Sequence, residues 1–119
     1  MNAPNNEVWV TTANSFEGYR VVKYMGIVRG ITARSRSVVG NFGAGLQQIF
    51  GGNITIYTEL AEQARGEAYN LMKDHAAHIG ANAIIAMRYD ATEMAPGVSE
   101  VLAYGTAVVI ASADAPAAG

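Results

Sequence analysis

The stretch VSEVLAYGTAVVI at 98–110 carries apolar side chains on both of its faces. Read as a strand, it presents Val98, Leu102, Tyr104, Val108 and Ile110 on one side, and Val101, Ala103, Ala107 and Val109 on the other. A sheet with one wetted face alternates apolar with polar residues, so this strand needs cover on both sides. YRVVKYMGIVRGITARS at 19–35 has the same character, β-branched and aromatic, with Val21, Met25, Ile27 and Ile31 on one face and Val22, Tyr24 and Val28 on the other. Gly26 and Gly30 are the places where so long a strand can bend.

One element can supply cover within the chain. Residues 54–79, stepped at helical angles, gather Tyr57, Ala61, Ala64, Ala68, Leu71, Met72, His75 and Ile79 on one face and Glu59, Glu62, Gln63, Gly66, Asn70 and Lys73 on the other. Thr55 or Thr58 can cap the start, and Gly80 stops the helix. VWVTT at 8–12 reads as a short strand, 37–50 as a short helix with Ser37 before it and Gly51-Gly52 after it. ANAIIAMRYDATEM at 81–94 leads through a proline–glycine turn into 98–110, the signature of an antiparallel hairpin. The order is β-β-(short α)-long α-β-β, an α+β fold with an antiparallel-rich sheet packed on one long helix. One helix covers one face of such a sheet. The second face calls for neighbouring subunits, so a homo-oligomer is expected.

Composition points the same way. The 119 residues make one domain over 1–111, with SADAPAAG at 112–119 as a flexible C-terminal tail. Half the residues are hydrophobic and 15% are charged, a thin supply of charge for the surface of a monomer. A net charge of −2 gives no pull toward nucleic acid or an anionic membrane. With no cysteine, disulfides, thiolate metal sites and cysteine nucleophiles are excluded. The opening MNAPNNE is polar and no apolar run approaches the roughly 20 residues of a membrane span, so a cytoplasmic protein is expected.

RSRSVVGNFGAGLQQIFGGN at 34–53 raises the question of a phosphate cradle. Gly40, Gly43 and Gly45 stand in the order G-x-x-G-x-G, which is not the dinucleotide fingerprint, and Leu46-Gln47 follow where a P-loop needs lysine and a hydroxyl. The glycines instead suit close backbone packing: Gly40 and Gly43 form a flat strip beside Phe42, Leu46, Ile49 and Phe50, assigned here to oligomer packing. Arg34 and Arg36 project to one side of an extended segment, and a ring would repeat them into a circle able to hold an anion; the plainer reading is two solvated arginines.

For metals, the candidates are His75 and His78, three apart on the long helix, with Asp74 and Glu67 along the same edge. Imidazole and carboxylate at that spacing can chelate a divalent transition metal, although two ligands on one helix make a weak site. The plainer reading of His75 is a packed core histidine near the helix end, and of His78 an exposed side chain in the last turn. For catalysis, Ser35, Ser37 and Ser99 have no histidine partner visible in the sequence, and Arg88 and Asp90 suit ion pairing on the hairpin, so no enzyme is expected.

FGAGLQQIFGG before the long helix, GANAIIAMRYD after it and GTAVV in the last strand, in this order and spacing over about 8–110, resemble the YbjQ-like family of heavy-metal-binding domains. The resemblance implies a β-β-α-β-β subunit in a homopentameric ring, bacterial or archaeal and cytoplasmic, without an established activity. It carries no metal ligand over to this chain. NFGAG stands where many members have a charged, aromatic run such as RDFFAG, so no role resting on those charges transfers. The expected function is a ring-forming module that binds a small ligand or metal ion. The alternatives are a partner-recruiting assembly without ligand chemistry and, last, an enzyme with a site shared between subunits.

Overall fold

The computed structural model describes residues 7–35, 54–96 and 98–114. Four strands and one long helix follow in the order β1 (Trp9–Val10), β2 (Tyr19–Ser35), α1 (Ile54–His78), β3 (Ala83–Ala95) and β4 (Val98–Ser112). The strands form one mixed sheet in the order β1-β3-β4-β2. β4 runs antiparallel to both neighbours, and β1 adds to β3 in parallel, Trp9 opposite Ala83. The predicted short helix at 37–50, with its packing residues Gly40, Phe42, Gly43, Leu46 and Phe50, lies outside the described residues, as do Arg36 and the tail beyond 114.

The junction between α1 and β3 follows from its sequence, HIGAN. Gly80 takes a left-handed φ of 89° that a side chain would resist. Its N–H donates to the Ala77 carbonyl at 3.1 Å, and the Ala81 N–H donates to the Ala76 carbonyl at 2.9 Å. This is the paired bonding that closes a helix on a C′ glycine, with buried Ala81 against buried Ala76 as its apolar contact. Asn82 then replaces a strand residue: its amide oxygen accepts from the Ile110 N–H at 2.8 Å and its amide nitrogen donates to the Ile110 carbonyl at 3.0 Å. At the other end α1 begins at Ile54, so neither Thr55 nor Thr58 precedes it as a cap.

The helix packs chiefly on β2, and small residues set how closely. A Cβ at Gly30 would run into the backbone of Ala68 and Met72, so the helix rests directly on the strand there. The buried face of α1 is accordingly Ala64, Ala68, Met72, Ala76 and Ala77. This corrects the helical face read from the sequence, since Ala61, Leu71 and His75 are exposed while Ala76 and Ala77 are in the core. Val8, Val28, Ile84, Met87, Ala103 and Ala107 complete that core.

Register decides what lies beneath the helix and what faces away. Two irregularities in β2, between Val21 and Lys23 and between Tyr24 and Gly26, reverse the alternation only for the residues between them, the second restoring what the first shifts. Val28, Gly30 and Thr32 therefore lie under the helix opposite Gly105, Ala103 and Val101, and Ile27, Arg29 and Ile31 share the far face with Thr106, Tyr104 and Leu102. The expected grouping of Met25 with Ile27 and Ile31, and of Tyr24 with Val28, is corrected by this shift: Met25 and Val28 join the helix-side core, and Tyr24 and Ile27 stand exposed. The faces predicted for β4, which is regular, are those observed.

The far face is covered at one end by the chain itself. The segment between β1 and β2 lays Phe16 against Ala83, Ile85, Val108 and Ile110, with Val21 beside them. Trp9 packs its ring on Phe16 and Tyr19, centroids 5.9 and 5.1 Å away. A further irregularity, in β3, pins this segment. Between Ile85 and Arg88, β3 carries an extra residue, and Ala86 takes a φ of 54°. Ala86 and Met87 donate their N–H groups to the carbonyls of Ala13 and Thr11, at 2.8 and 3.0 Å. These bonds offset the roughly 1–2 kcal/mol that a left-handed alanine costs. Beyond Ile27 the same face has no such cover among the described residues. β4 also continues past its expected end, and Ala113 donates to the Gly18 carbonyl at 2.9 Å, so residues 112–114 are tied to the sheet.

Candidate ligand site

Because α1 sits over β2, the helix-side surface of β3 is left open beside it. An open groove of about 410 Å³ runs there, lined by Glu62, Arg65, Gly66 and Tyr69 from the helix and Tyr89 from the strand. Tyr89 enters it because the extra residue at Ala86–Met87 turns the following part of β3 over, which places Tyr89 on the helix side opposite Ala103 and Gly30. Arg65 pairs with Glu62 at 3.6 Å, both well exposed, a contact worth little by itself. Lys73 holds its ammonium 5.5 Å from the centre of the Tyr69 ring.

The electrostatics of the groove act on Tyr89. Burial, then the neighbouring Tyr69 and Glu62, push its phenol above the ordinary 10.0, and Arg65 pulls the other way. Tyr89 is thus a protonated hydroxyl at neutral pH, able to donate a hydrogen bond. Gly66 forms the wall between the two rings' elements. A Cβ built on it would meet nothing within 4 Å, although glycine inside a helix costs about 1 kcal/mol relative to alanine. Among the described residues, packing gives no reason for the glycine.

The residues proposed for metal binding are placed differently. His75 Nδ1 accepts a hydrogen bond from the Arg29 N–H at 3.3 Å, and Glu67 accepts one from the Thr32 hydroxyl at 3.2 Å. Both side chains thus fasten the helix to β2, and His75 does so from an exposed position rather than from inside the core. His78 and Asp74 are exposed near the end of the same helix. Among the described residues, no three histidine or carboxylate groups gather where they could hold one ion. Arg34 closes β2 opposite Ser99, and Arg36 lies outside the described residues. Arg88 and Asp90 share the far face with Tyr104 and Leu102, where Arg88 donates to the Thr12 and Met87 carbonyls at 2.9 and 2.8 Å. Among the described residues, no helix is long and apolar enough to cross a membrane.

The groove is what the sequence reading missed. Glu62 and Gly66 fell on the polar face of the helix, and Arg65 and Tyr69 were assigned to neither face. The available signal was a glycine in mid-helix flanked at helical spacing by an ion pair and a tyrosine.

Among the described residues, a four-stranded mixed sheet with one helix laid along an outer strand defines the class, a small α+β domain. Its family follows from comparison: a family model described as "Putative heavy-metal-binding", YbjQ, matches residues 8–111, and the chain belongs to that family. A UPF0145 protein of Solibacter usitatus is 58% identical over 106 residues, 89% of this chain and 95% of the relative. One from Chromobacterium violaceum is 64% identical over 99 residues, 83% of this chain and 85% of the relative. A crystal structure of a Pediococcus pentosaceus protein of unknown function, from the DUF74 family, is similar in fold, with a TM-score of 0.57 at 18% identity, covering 87% of this chain and 98% of that one.

Proposed function

We propose that this protein is a non-enzymatic, cytoplasmic, ring-forming module that binds a small ligand or metal ion, with five identical subunits in the ring. The observation that carries the reading is the open end of the far sheet face. Tyr24 and Ile27 are 68% and 75% exposed there, and Ile31 and Tyr104 lie beside them in register. Water contact with these large apolar side chains is unfavourable even with Arg29, Arg88 and Asp90 set among them, and a second copy of the chain is the occupant that a homo-oligomer supplies. The pentamer itself rests on the family resemblance. The ligand part of the reading rests on the groove beside α1, and its metal part on the family's description, to which this chain would bring oxygen, imidazole and thioether donors but no thiolate.

Native mass spectrometry of untagged protein tests both parts in one spectrum. The expected result is a five-subunit mass that retains a stoichiometric adduct or gains one on addition of zinc, nickel or copper. A clean five-subunit mass that no addition changes favours a partner-recruiting assembly instead. A monomer at micromolar concentration defeats the ring.

A further inference from the structure

We propose that the ring closes edge to edge, with the cationic β2 edge of one copy lying against the acidic β3 edge of the next. This rests on the ring reading above and names its seam; the groove and the metal play no part in it.

Among the described residues the sheet ends in two open edges. β2 is the outer strand on one side. On the other side β1 pairs with β3 only at Ala83 and Ile84, and Ala86 and Met87 bond to Ala13 and Thr11. From Arg88 to Ala95, β3 has no strand beside it among the described residues. An open edge of this length invites another chain unless something covers it. Large apolar side chains left in water gather on these same two strands: Tyr24, Ile27 and Ile31 on β2, Tyr89 and Met94 on β3.

Charge selects the partner. β2 contains Arg20, Lys23, Arg29 and Arg34 and no acidic residue. The open part of β3 holds Asp90 and Glu93, and its one cation, Arg88, is turned onto the Thr12 and Met87 carbonyls of its own chain. Among the described residues, Lys23, Arg29, Asp90 and Glu93 make no ion pair. Joining like edges about a two-fold axis sets cations against cations on β2, or acids against acids on β3. Joining unlike edges brings opposite charges together. Such a contact is heterologous, each copy offering a different surface to each of its neighbours, and its repetition closes a ring. His75 already accepts the Arg29 N–H, so side chains rather than an unbroken backbone ladder carry the seam there.

The test is charge reversal in the full chain, read by native mass spectrometry and by sedimentation over a dilution series. One variant carries Asp90→Lys and Glu93→Lys, a second carries Lys23→Glu and Arg29→Glu, and a third carries all four changes. Each pair alone is expected to raise the dissociation constant of the assembly at least about a hundredfold. The four changes together are expected to recover at least about tenfold of that loss, because opposite charges face each other again. Damage to the fold by one pair is not cured by adding the other, so recovery separates a charged seam from misfolding. Two outcomes overturn the proposal while leaving the ring standing: a subunit number that neither pair changes, and a loss that the four changes together do not recover. A wild-type protein that is itself monomeric overturns the ring and the seam together.

Discussion

The two ends of the far sheet face are built from the same strands and differ in what covers them. At one end Phe16, held by the turn after β1, closes over Ala83, Ile85, Val108 and Ile110. At the other, Ile27, Ile31 and Tyr104 stand exposed with Arg29, Arg88 and Asp90 among them. Strand composition thus states that a face must be covered without stating by what. The covered end owes its lid to a local device, the left-handed Ala86, where the N–H groups of Ala86 and Met87 donate to the carbonyls of Ala13 and Thr11.

The comparison is sharpest when set against the helix-covered face, where the largest effect is expected. Gly30→Val pushes a branched side chain into the backbone of Ala68 and Met72, atoms that cannot swing aside. A loss of about 3 kcal/mol, read by urea denaturation, is expected. Phe16→Ala strips the covered end of its lid. As Phe16 is only half-buried, the loss should be about 2 kcal/mol, below that of a fully buried phenylalanine. Ile27→Ser, at the open end, should change monomer stability by no more than about 0.5 kcal/mol yet lower the subunit number in native mass spectra. If Phe16→Ala and Ile27→Ser behaved alike in both measurements, the distinction between the two ends would collapse.

The smallest effect belongs to Tyr89. Its phenol is held above the ordinary 10.0, mainly by burial, so the folded protein binds that proton more tightly than the unfolded chain does. Stability should be unaffected below pH 10, fall as pH rises beyond it, and level off above the folded pKa. Tyr89→Phe should flatten that alkaline limb, and ultraviolet titration of the wild type should show one tyrosine ionising late.

Strand and helix positions were legible because each rests on local chemistry: β-branched runs, a long helical period, glycine at 80. The hairpin between Ala95 and Val98 and the regular alternation of β4 follow from the same signals. The helix orientation was misread because large apolar residues were assumed to face inward. Gly30 draws the helix so close that alanines make the contact, and Leu71 is left outside. The face assignments in β2 failed at two irregularities that sequence spacing does not reveal. The left-handed Ala86 had no signal either, because its residue type does not favour that conformation. For the site, His75 and Glu67 were noticed for the right side of the helix, but their polar atoms are used to bind β2. The groove depends on where the helix sits across the sheet, which is a tertiary quantity.

The link at Asn82 has a consequence for the order in which this structure opens. Its side chain joins the Ile110 backbone by two hydrogen bonds, and its own N–H donates to the Val108 carbonyl at 3.1 Å, directly after the closed helix end. The helix terminus, the start of β3 and the last part of β4 are thereby coupled across fewer than thirty residues of chain. Such a knot resists local fluctuation, because no one strand can leave without breaking the others' bonds. In hydrogen–deuterium exchange the amides of Ala81, Asn82 and Ile110 should therefore be the last to exchange, and their rate should report opening of the whole domain.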